Sequence, residues 1–131
     1  METIDFITGI KKFVVMEDFV PFELAKKLEE KGFKTENTNW CYLDGELVQV
    51  KKYVNISPYE YAPTISQVLK WLRETHNIYI VVFIDDDTDK PVTFEIYKGT
   101  ECVMCEHSYY SLAEWDKAEM DAIEYVLDNL I

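Results

Sequence analysis

The stretch that decides the fold is Ile78-Tyr79-Ile80-Val81-Val82-Phe83-Ile84. All of its residues are β-branched or aromatic, and this composition predicts a buried β-strand. The acidic segment Asp85–Pro91 turns the chain, and Val92–Tyr97 returns as an antiparallel partner. Glu101–His107 is predicted as a third strand. The centre of the chain therefore predicts an antiparallel sheet.

Helices are predicted before and after these strands. Thr64 and Gln67 have the spacing of a capping box, and Ser111 and Glu114 repeat it before the last helix. Pro21–Lys31 is predicted as an earlier helix, because proline suits the first helical turn and apolar residues recur at helical spacing. The apolar stripe of the helix after Thr64 consists of Ile65, Val68, Leu69 and Leu72.

The first half of the chain also contains a hairpin pattern. Asp44-Gly45 lies between Thr38–Leu43 and Glu46–Tyr53, and this dipeptide favours a tight turn between two strands. We therefore predict an α+β fold in which about three helices pack on a mostly antiparallel sheet of four to six strands. The predicted organisation is a single globular domain over residues 1–131, with 1–17 as a candidate loosely attached N-terminal extension.

Charge is unevenly distributed along the chain. Residues 1–73 hold 10 Lys/Arg and 11 Asp/Glu, whereas residues 74–131 hold 3 and 14, and the formal net charge is −12. Phosphate backbones and anionic membranes repel such a protein. We therefore expect no direct nucleic-acid partner and no membrane partner. The acidity favours either plain solubility or an acidic face that meets a basic protein.

The cysteines favour a reducing compartment. Cys41, Cys102 and Cys105 are odd in number, which argues against a secreted disulfide framework. The N-terminus lacks the basic region of a signal peptide, and the apolar runs are too short to span a bilayer. We therefore predict free thiols and a cytoplasmic location.

Three stretches resemble a known group of proteins. They are FVPFELAKKLEEKGF at Phe19–Phe33, APTISQVLKWLRE at Ala62–Glu74, and the acidic closing helix. Together they resemble small hypothetical proteins common in phages and mobile elements of gut Bacteroides-type bacteria. The matching residues are helix caps and apolar stripes, so the resemblance concerns the fold rather than chemistry. It implies an intracellular accessory protein of a mobile element, without implying any catalytic residue. The longer N-terminus and the Cys102–His107 segment depart from the pattern.

One acidic segment has part of a calcium-loop pattern. Asp85, Asp87 and Asp89 have the spacing of the first ligands of an EF-hand loop. Lys90 stands where that loop needs glycine, and Ile96 stands where it needs glutamate. The interpretation is a solvated acidic turn between two strands, and no metal ligand is assigned.

The segment around Cys102 offers a second candidate for metal or redox chemistry. Cys102 and Cys105 have C-x-x-C spacing, and His107 follows. No second ligand pair completes a zinc site, and no helix begins close enough to activate a thiolate. In a regular strand Cys102 and Cys105 would point to opposite faces. The prediction is structural thiols, with no metal and no cofactor.

Catalytic patterns are weak. His76 and His107 are the only histidines, and the chain has no G-x-S-x-G elbow or glycine-rich loop around Ser108 or Ser111. The acids show no spacing that singles out a pair. We therefore expect no catalytic residue, while a small carboxylate-dependent enzyme stays open as an alternative.

Aromatic residues suggest an interaction surface. Tyr59 and Tyr61 lie in the loop just before the helix that carries Trp71. Tyrosine and tryptophan are enriched at interfaces, so these three residues could form a contact with a partner or with a second copy of the chain. Ordinary core and loop packing is the alternative.

The leading hypothesis for function is a non-enzymatic accessory or adaptor protein that acts through protein–protein contacts, with homo-oligomerisation left open. A second hypothesis is an acidic inhibitor that imitates the charge of DNA. The carboxylates that would replace phosphates in that reading are Glu114, Asp116, Glu119, Asp121, Glu124 and Asp128.

Overall fold

The computed structural model of the chain describes residues 2–5, 10–13, 19–34, 40–43, 45–50, 60–85, 89–105 and 108–131. The chain divides into two compact units, Met1–Thr64 and Ile65–Ile131. The predicted strands Thr38–Leu43 and Glu46–Tyr53 lie partly outside the described residues, and the predicted turn residue Asp44 lies wholly outside them.

The first unit combines one helix with a five-stranded sheet. All neighbouring strands in this sheet are antiparallel, in the order β1-β2-β4-β3-β5. The predicted hairpin is confirmed, since β3 and β4 pair from Leu43↔Glu46 onward. The elements are β1 (Glu2–Asp5), β2 (Ile10–Phe13), α1 (Phe22–Glu30), β3 (Trp40–Leu43), β4 (Glu46–Val50) and β5 (Glu60–Tyr61).

Helix α1 lies where the sequence predicts it and buries one side. Its buried residues are Leu24, Ala25 and Leu28. The Tyr42 hydroxyl donates a hydrogen bond to the backbone carbonyl of Val20, and the rings of Phe22 and Tyr42 lie 5.3 Å apart. These contacts attach the start of α1 to β3.

The second unit contains a three-stranded antiparallel sheet. In the sequence, its strands lie between two helices. The strands follow chain order, β6-β7-β8, and Gly99 allows the tight β7–β8 turn because its φ is +62°. The elements are α2 (Ile65–His76), β6 (Ile78–Ile84), β7 (Val92–Lys98), β8 (Glu101–Met104), a 3-10 turn (Leu112–Glu114) and α3 (Trp115–Asn129).

The closing helix has the predicted cap. The backbone N–H and the hydroxyl of Ser111 both donate to Oε1 of Glu114, at 3.1 and 3.0 Å. This capping box starts a single 3-10 turn, and α3 continues from Trp115. The residues that α3 buries are Ala118, Ala122, Ile123, Val126 and Leu127.

The α+β class and the three helices are confirmed, but one sheet of four to six strands is not. The described strands divide between two sheets, one in each unit, and each described pairing joins strands of the same unit. The single domain over 1–131 and the loosely attached extension over 1–17 stay predictions. Strands β1 and β2 come from that segment and pair with each other.

Of the helices that the structure describes, none is both long enough and apolar enough to cross a membrane.

Candidate interaction surface on the three-stranded sheet

The β6-β7-β8 sheet has two different faces. Helices α2 and α3 pack on β6 and β7. Ile78, Phe94 and Ile96 point to this side and are buried. Since side chains alternate along a strand, the residues between them point to the opposite side. We call that side the open face; on β6 and β7 it carries Tyr79, Val81, Phe83, Thr93, Glu95 and Tyr97.

The open face carries large side chains that remain in contact with solvent. Tyr79 is 39% exposed and pairs with Tyr97 across the sheet. Val81 is 44% exposed and pairs with Glu95. The prediction of a buried strand over Ile78–Ile84 is therefore wrong for Tyr79 and Val81, because the helices that the structure describes pack on the opposite face of the sheet.

A hydrogen bond organises the middle of the open face. Tyr97 and Glu95 are neighbours on the same side of β7, and the Tyr97 hydroxyl donates to Oε2 of Glu95. This bond, helped by partial burial and by the carboxylate charge, raises the pKa of Tyr97. The tyrosine therefore stays a neutral donor, and the carboxylate is held beside an aromatic ring.

Strand β8 contains a bulge that changes the direction of its side chains. Cys102 pairs with Tyr97, while Met104 pairs with Ile96, so Val103 is an extra residue. The extra residue places Cys102 on the open face and Met104 on the helix side.

The bulge also explains the cysteine pair. Because one residue is inserted, Cys105 returns to the side of Cys102, and the two form a disulfide with Cα atoms 6.2 Å apart, within the usual range. The prediction of free thiols is wrong for Cys102 and Cys105. His107 and the side chain of Cys41 lie outside the described residues.

One end of the open face is closed by the chain itself. Thr93 is fully buried, and its hydroxyl donates to the carbonyl of Ser108 at 3.1 Å. Tyr110 then pairs with Val92 through two backbone hydrogen bonds of 2.8 and 3.0 Å. This segment therefore continues the β8 edge after the disulfide, next to the start of β7.

The opposite edge of the sheet is β6. Two backbone hydrogen bonds define which residues of β6 bond to β7 and which point away from it. The N–H of Asp85 donates to Pro91 at 2.8 Å, and the N–H of Gly99 donates to Asn77 at 2.9 Å. Odd-numbered residues of β6 thus exchange backbone bonds with β7, because hydrogen-bonded pairs recur every second residue in an antiparallel ladder. The N–H and C=O groups of the even-numbered residues, Ile80 and Val82 among them, point away from β7. Within the described part of the chain, β6 has no hydrogen-bonded strand on that side.

The aromatic residues singled out from the sequence are not brought together by what the structure describes. Tyr59 and the side chain of Tyr61 lie outside the described residues, and the Tyr61 backbone belongs to β5 in the first unit. Trp71 lies on α2 in the second unit, half-buried, with its ring edge-to-face against His76 at 4.8 Å. This candidate surface stays a prediction.

The acidic residues of the closing helix are partly used by the fold. Glu114 accepts the two capping-box hydrogen bonds, which lower its pKa. Asp121 accepts a hydrogen bond from the hydroxyl of Tyr110 at 2.7 Å. Burial, and then this bond, raise the pKa of Tyr110. The exposed acids on α3 are Asp116, Asp121, Glu124 and Asp128, while Glu114 and Glu119 are half-buried.

The described residues contain no grouping of three or more His, Cys, Asp or Glu side chains that could hold a metal ion. Asp87 and the rest of 86–88 fall outside them, so the acidic turn is described only at Asp85 and Asp89, both exposed. Asp85 accepts a hydrogen bond from the hydroxyl of Tyr109 at 2.9 Å.

No known protein family, curated protein or solved structure matches this chain. Its function must therefore be argued from the geometry of its own residues.

Sequence reasoning missed Tyr79, Val81 and Tyr97 as surface residues. A signal was present in β7, where Val92–Tyr97 alternates apolar and more polar residues. Alternation of this kind indicates a strand with one covered and one open face. Because β6 was predicted to pair with β7 in one sheet, β6 should share this open face.

Proposed function

We propose that this protein is a non-enzymatic adaptor that binds another protein through the open face and the β6 edge of its second unit. The observation that carries the proposal is the exposure of Tyr79 and Val81, at 39% and 44%, in the middle of a regular strand. Exposed apolar groups scattered singly are ordinary, but neighbouring ones that share a rigid sheet are typical of interaction sites. A cytoplasmic location and an accessory role in a mobile element belong to the same proposal. The sequence alone supports them, and the Cys102–Cys105 disulfide removes the free-thiol argument for the first.

The chemistry of the open face suits a protein partner. Tyrosines supply large contact area with little conformational entropy to lose, and Tyr79 and Tyr97 lie side by side. Glu95 beside them adds a hydrogen-bond acceptor and a negative charge. The second unit holds 14 Asp/Glu against 5 Lys/Arg, so phosphate groups would be repelled from it. The surface therefore favours a protein partner over a nucleic acid.

The test is capture of partners by the full chain with matched surface variants. The bait is wild type, the double variant Tyr79→Ser/Val81→Ser, or Leu112→Ser as the control. Leu112 is 61% exposed in the 3-10 turn, so its substitution also removes an exposed apolar group. Lysate of the organism that encodes the protein is applied, and bound proteins are quantified by mass spectrometry.

We expect at least one protein to bind wild type and Leu112→Ser equally and to be lost with the double variant. Circular dichroism of all three baits should show the same secondary structure. Partners that bind every bait equally, or no recovered partner, would contradict the proposal.

The DNA-mimic alternative stays a prediction. Its support is the excess of acids on the closing helix, of which Asp121, Glu124 and Asp128 share helical spacing. Glu114 and Asp121, which belong to this set, already accept hydrogen bonds within the fold. Loss of capture when duplex DNA is added in competition would favour it over the open face.

A further inference from the structure

The two edges of the three-stranded sheet differ in a way that points to a partner. Strand β8 has four residues, begins with the exposed Glu101 and is bulged, and all three features discourage edge-to-edge pairing. Strand β6 has seven residues and no charge, proline or bulge. Natural proteins usually protect a long apolar edge, so an edge left in this form is suited to receive another strand.

We propose that β6 pairs with β6 of a second copy of this chain, in antiparallel orientation and with Val81 on the two-fold axis. The inference rests on the proposed function, since it assigns a partner to the same protein-binding sheet. The two three-stranded sheets would then join into one continuous sheet across the dimer.

The hydrogen-bond phase of β6 is compatible with this register. Only even-numbered residues direct N–H and C=O groups outward, so even residues must face even residues of the other copy. With Val81 on the axis, Ile80 faces Val82 of the second copy and Ile78 faces Ile84. Each of these pairs can exchange two backbone hydrogen bonds, as in any antiparallel ladder.

The sequence of β6 is also symmetric about Val81. Reading outward in both directions gives a β-branched residue, an aromatic residue and an isoleucine, because Ile80 matches Val82, Tyr79 matches Phe83 and Ile78 matches Ile84. A two-fold interface requires one surface to complement itself. Tyr79 would face Phe83 across the axis, and aromatic pairs of this kind stabilise antiparallel strands.

The charges near the ends of β6 also suit this arrangement. The strand is followed by Asp85 and Asp89 and preceded by the last turn of α2, which carries Arg73 and Glu74. Lys70 pairs with Glu74 at 3.8 Å, so this end of the strand holds two cations against one carboxylate. Antiparallel pairing brings the acidic end of one copy to this end of the other, and does so twice by symmetry. A second copy therefore fits both the apolar centre and the charged ends.

In a symmetric dimer, a residue on the two-fold axis lies next to the same residue of the second copy. The experiment uses this property of Val81. Val81→Lys places two ammonium groups together in the dimer, and Val81→Glu places two carboxylates together. An equimolar mixture allows lysine to face glutamate. Dimerisation of the full chain is measured by sedimentation velocity over a wide concentration range, alone and in the mixture, with Leu112→Lys and Leu112→Glu as matched controls.

We expect wild type to shift with concentration from 15.5 kDa toward twice that mass. Each Val81 variant alone should raise the dissociation constant about tenfold or more, and the mixture should recover most of this loss. The Leu112 variants should dimerise like wild type, alone and mixed. Since Val81 is exposed and pairs with Glu95, Val81→Lys should keep the wild-type melting temperature at low protein concentration. Val81→Glu places a like charge opposite Glu95, so its monomer should melt slightly lower.

A wild type that stays monomeric at every concentration would overturn the proposal, as would Val81 variants that dimerise normally or a mixture without recovery. Failure of the dimer can be distinguished from failure of the proposed adaptor function. Capture of a partner that depends on Tyr79 and Val81 by a strictly monomeric chain would support the adaptor and overturn the dimer.

Discussion

Glu114 is the residue whose ionisation is tied most directly to local structure. The Ser111 N–H, and then the Ser111 hydroxyl, donate to its carboxylate and lower its pKa. The unfolded value is about 4.3. A lowered pKa in the folded state contributes stability above the unfolded pKa, and this stability is lost as the pH falls through the folded value.

We therefore predict that Glu114→Gln unfolds more easily than wild type at neutral pH and that the difference shrinks as the pH falls below about 4. Urea unfolding followed by circular dichroism across this range measures the difference. Glu101→Gln is the control, because it removes the same charge from an exposed strand residue outside the cap. A gap between Glu114→Gln and wild type that is constant with pH would contradict the capping role.

The capping box and the cysteine pair show what single residues reveal in a sequence. Ser111 and Glu114 are local signals, and the structure confirms them because capping depends only on residues three apart. The Cys102–Cys105 disulfide was missed because it depends on a bulge opposite Ile96 and Tyr97. A bulge is set by pairing with another strand, and the β8 segment alone does not encode it.

At the scale of elements, the direction in which the backbone N–H groups of β6 point can be tested directly. Proline removes one backbone N–H, and strands tolerate it only where that N–H is not needed by a neighbour. The N–H of Val82 points outward, whereas that of Val81 points to β7.

We predict that Val81→Pro destabilises the protein by about 2 kcal/mol more than Val82→Pro, because it leaves a β7 carbonyl without its donor. Val82→Pro should keep the monomer folded and abolish the dimer. Thermal unfolding and sedimentation velocity on the two variants provide the measurements. Equal destabilisation by both prolines would show that the phase assigned to β6 is wrong.

The bounds of β6, and the positions of α1 and β7 to within a residue, were predictable because each depends on composition and spacing within a short window. The exposure of β6 was not predicted, since seven apolar residues do not show which face is covered. That choice is made by α2 and α3, which lie on one side only.

At the scale of the whole molecule, the division into two sheets was beyond sequence patterns. Strand propensity predicts strands but not which strands pair, and β5 joins β3 rather than β6 although α2 alone separates β5 from β6 in the chain. The net negative charge, by contrast, follows from composition alone. It determines the long-range electrostatic force between two copies of the chain.

Two copies with a net charge of −12 each repel one another. For centres about 30 Å apart, the size of a small domain, the unscreened repulsion in water is on the order of 20 kcal/mol. The screening length falls from about 30 Å at 0.01 M salt to about 8 Å at 0.15 M, which removes most of this repulsion. Ion pairs between Arg73 and the acidic end of β6 are screened too, but exposed pairs contribute only about 0–1 kcal/mol each.

We therefore predict that salt strengthens the dimer. The weight-average mass of wild type, measured by sedimentation equilibrium at fixed protein concentration, should rise as sodium chloride increases from low to physiological concentration. The Val81→Lys variant serves as the control, and its mass should rise far less at the same concentrations. If added salt instead dissociated the wild-type dimer, charge attraction would be holding the copies together. The exposed ion pairs at the ends of β6 are too weak to outweigh the repulsion between the copies. That attraction would therefore come from another surface, and the pairing of β6 edges would be refuted.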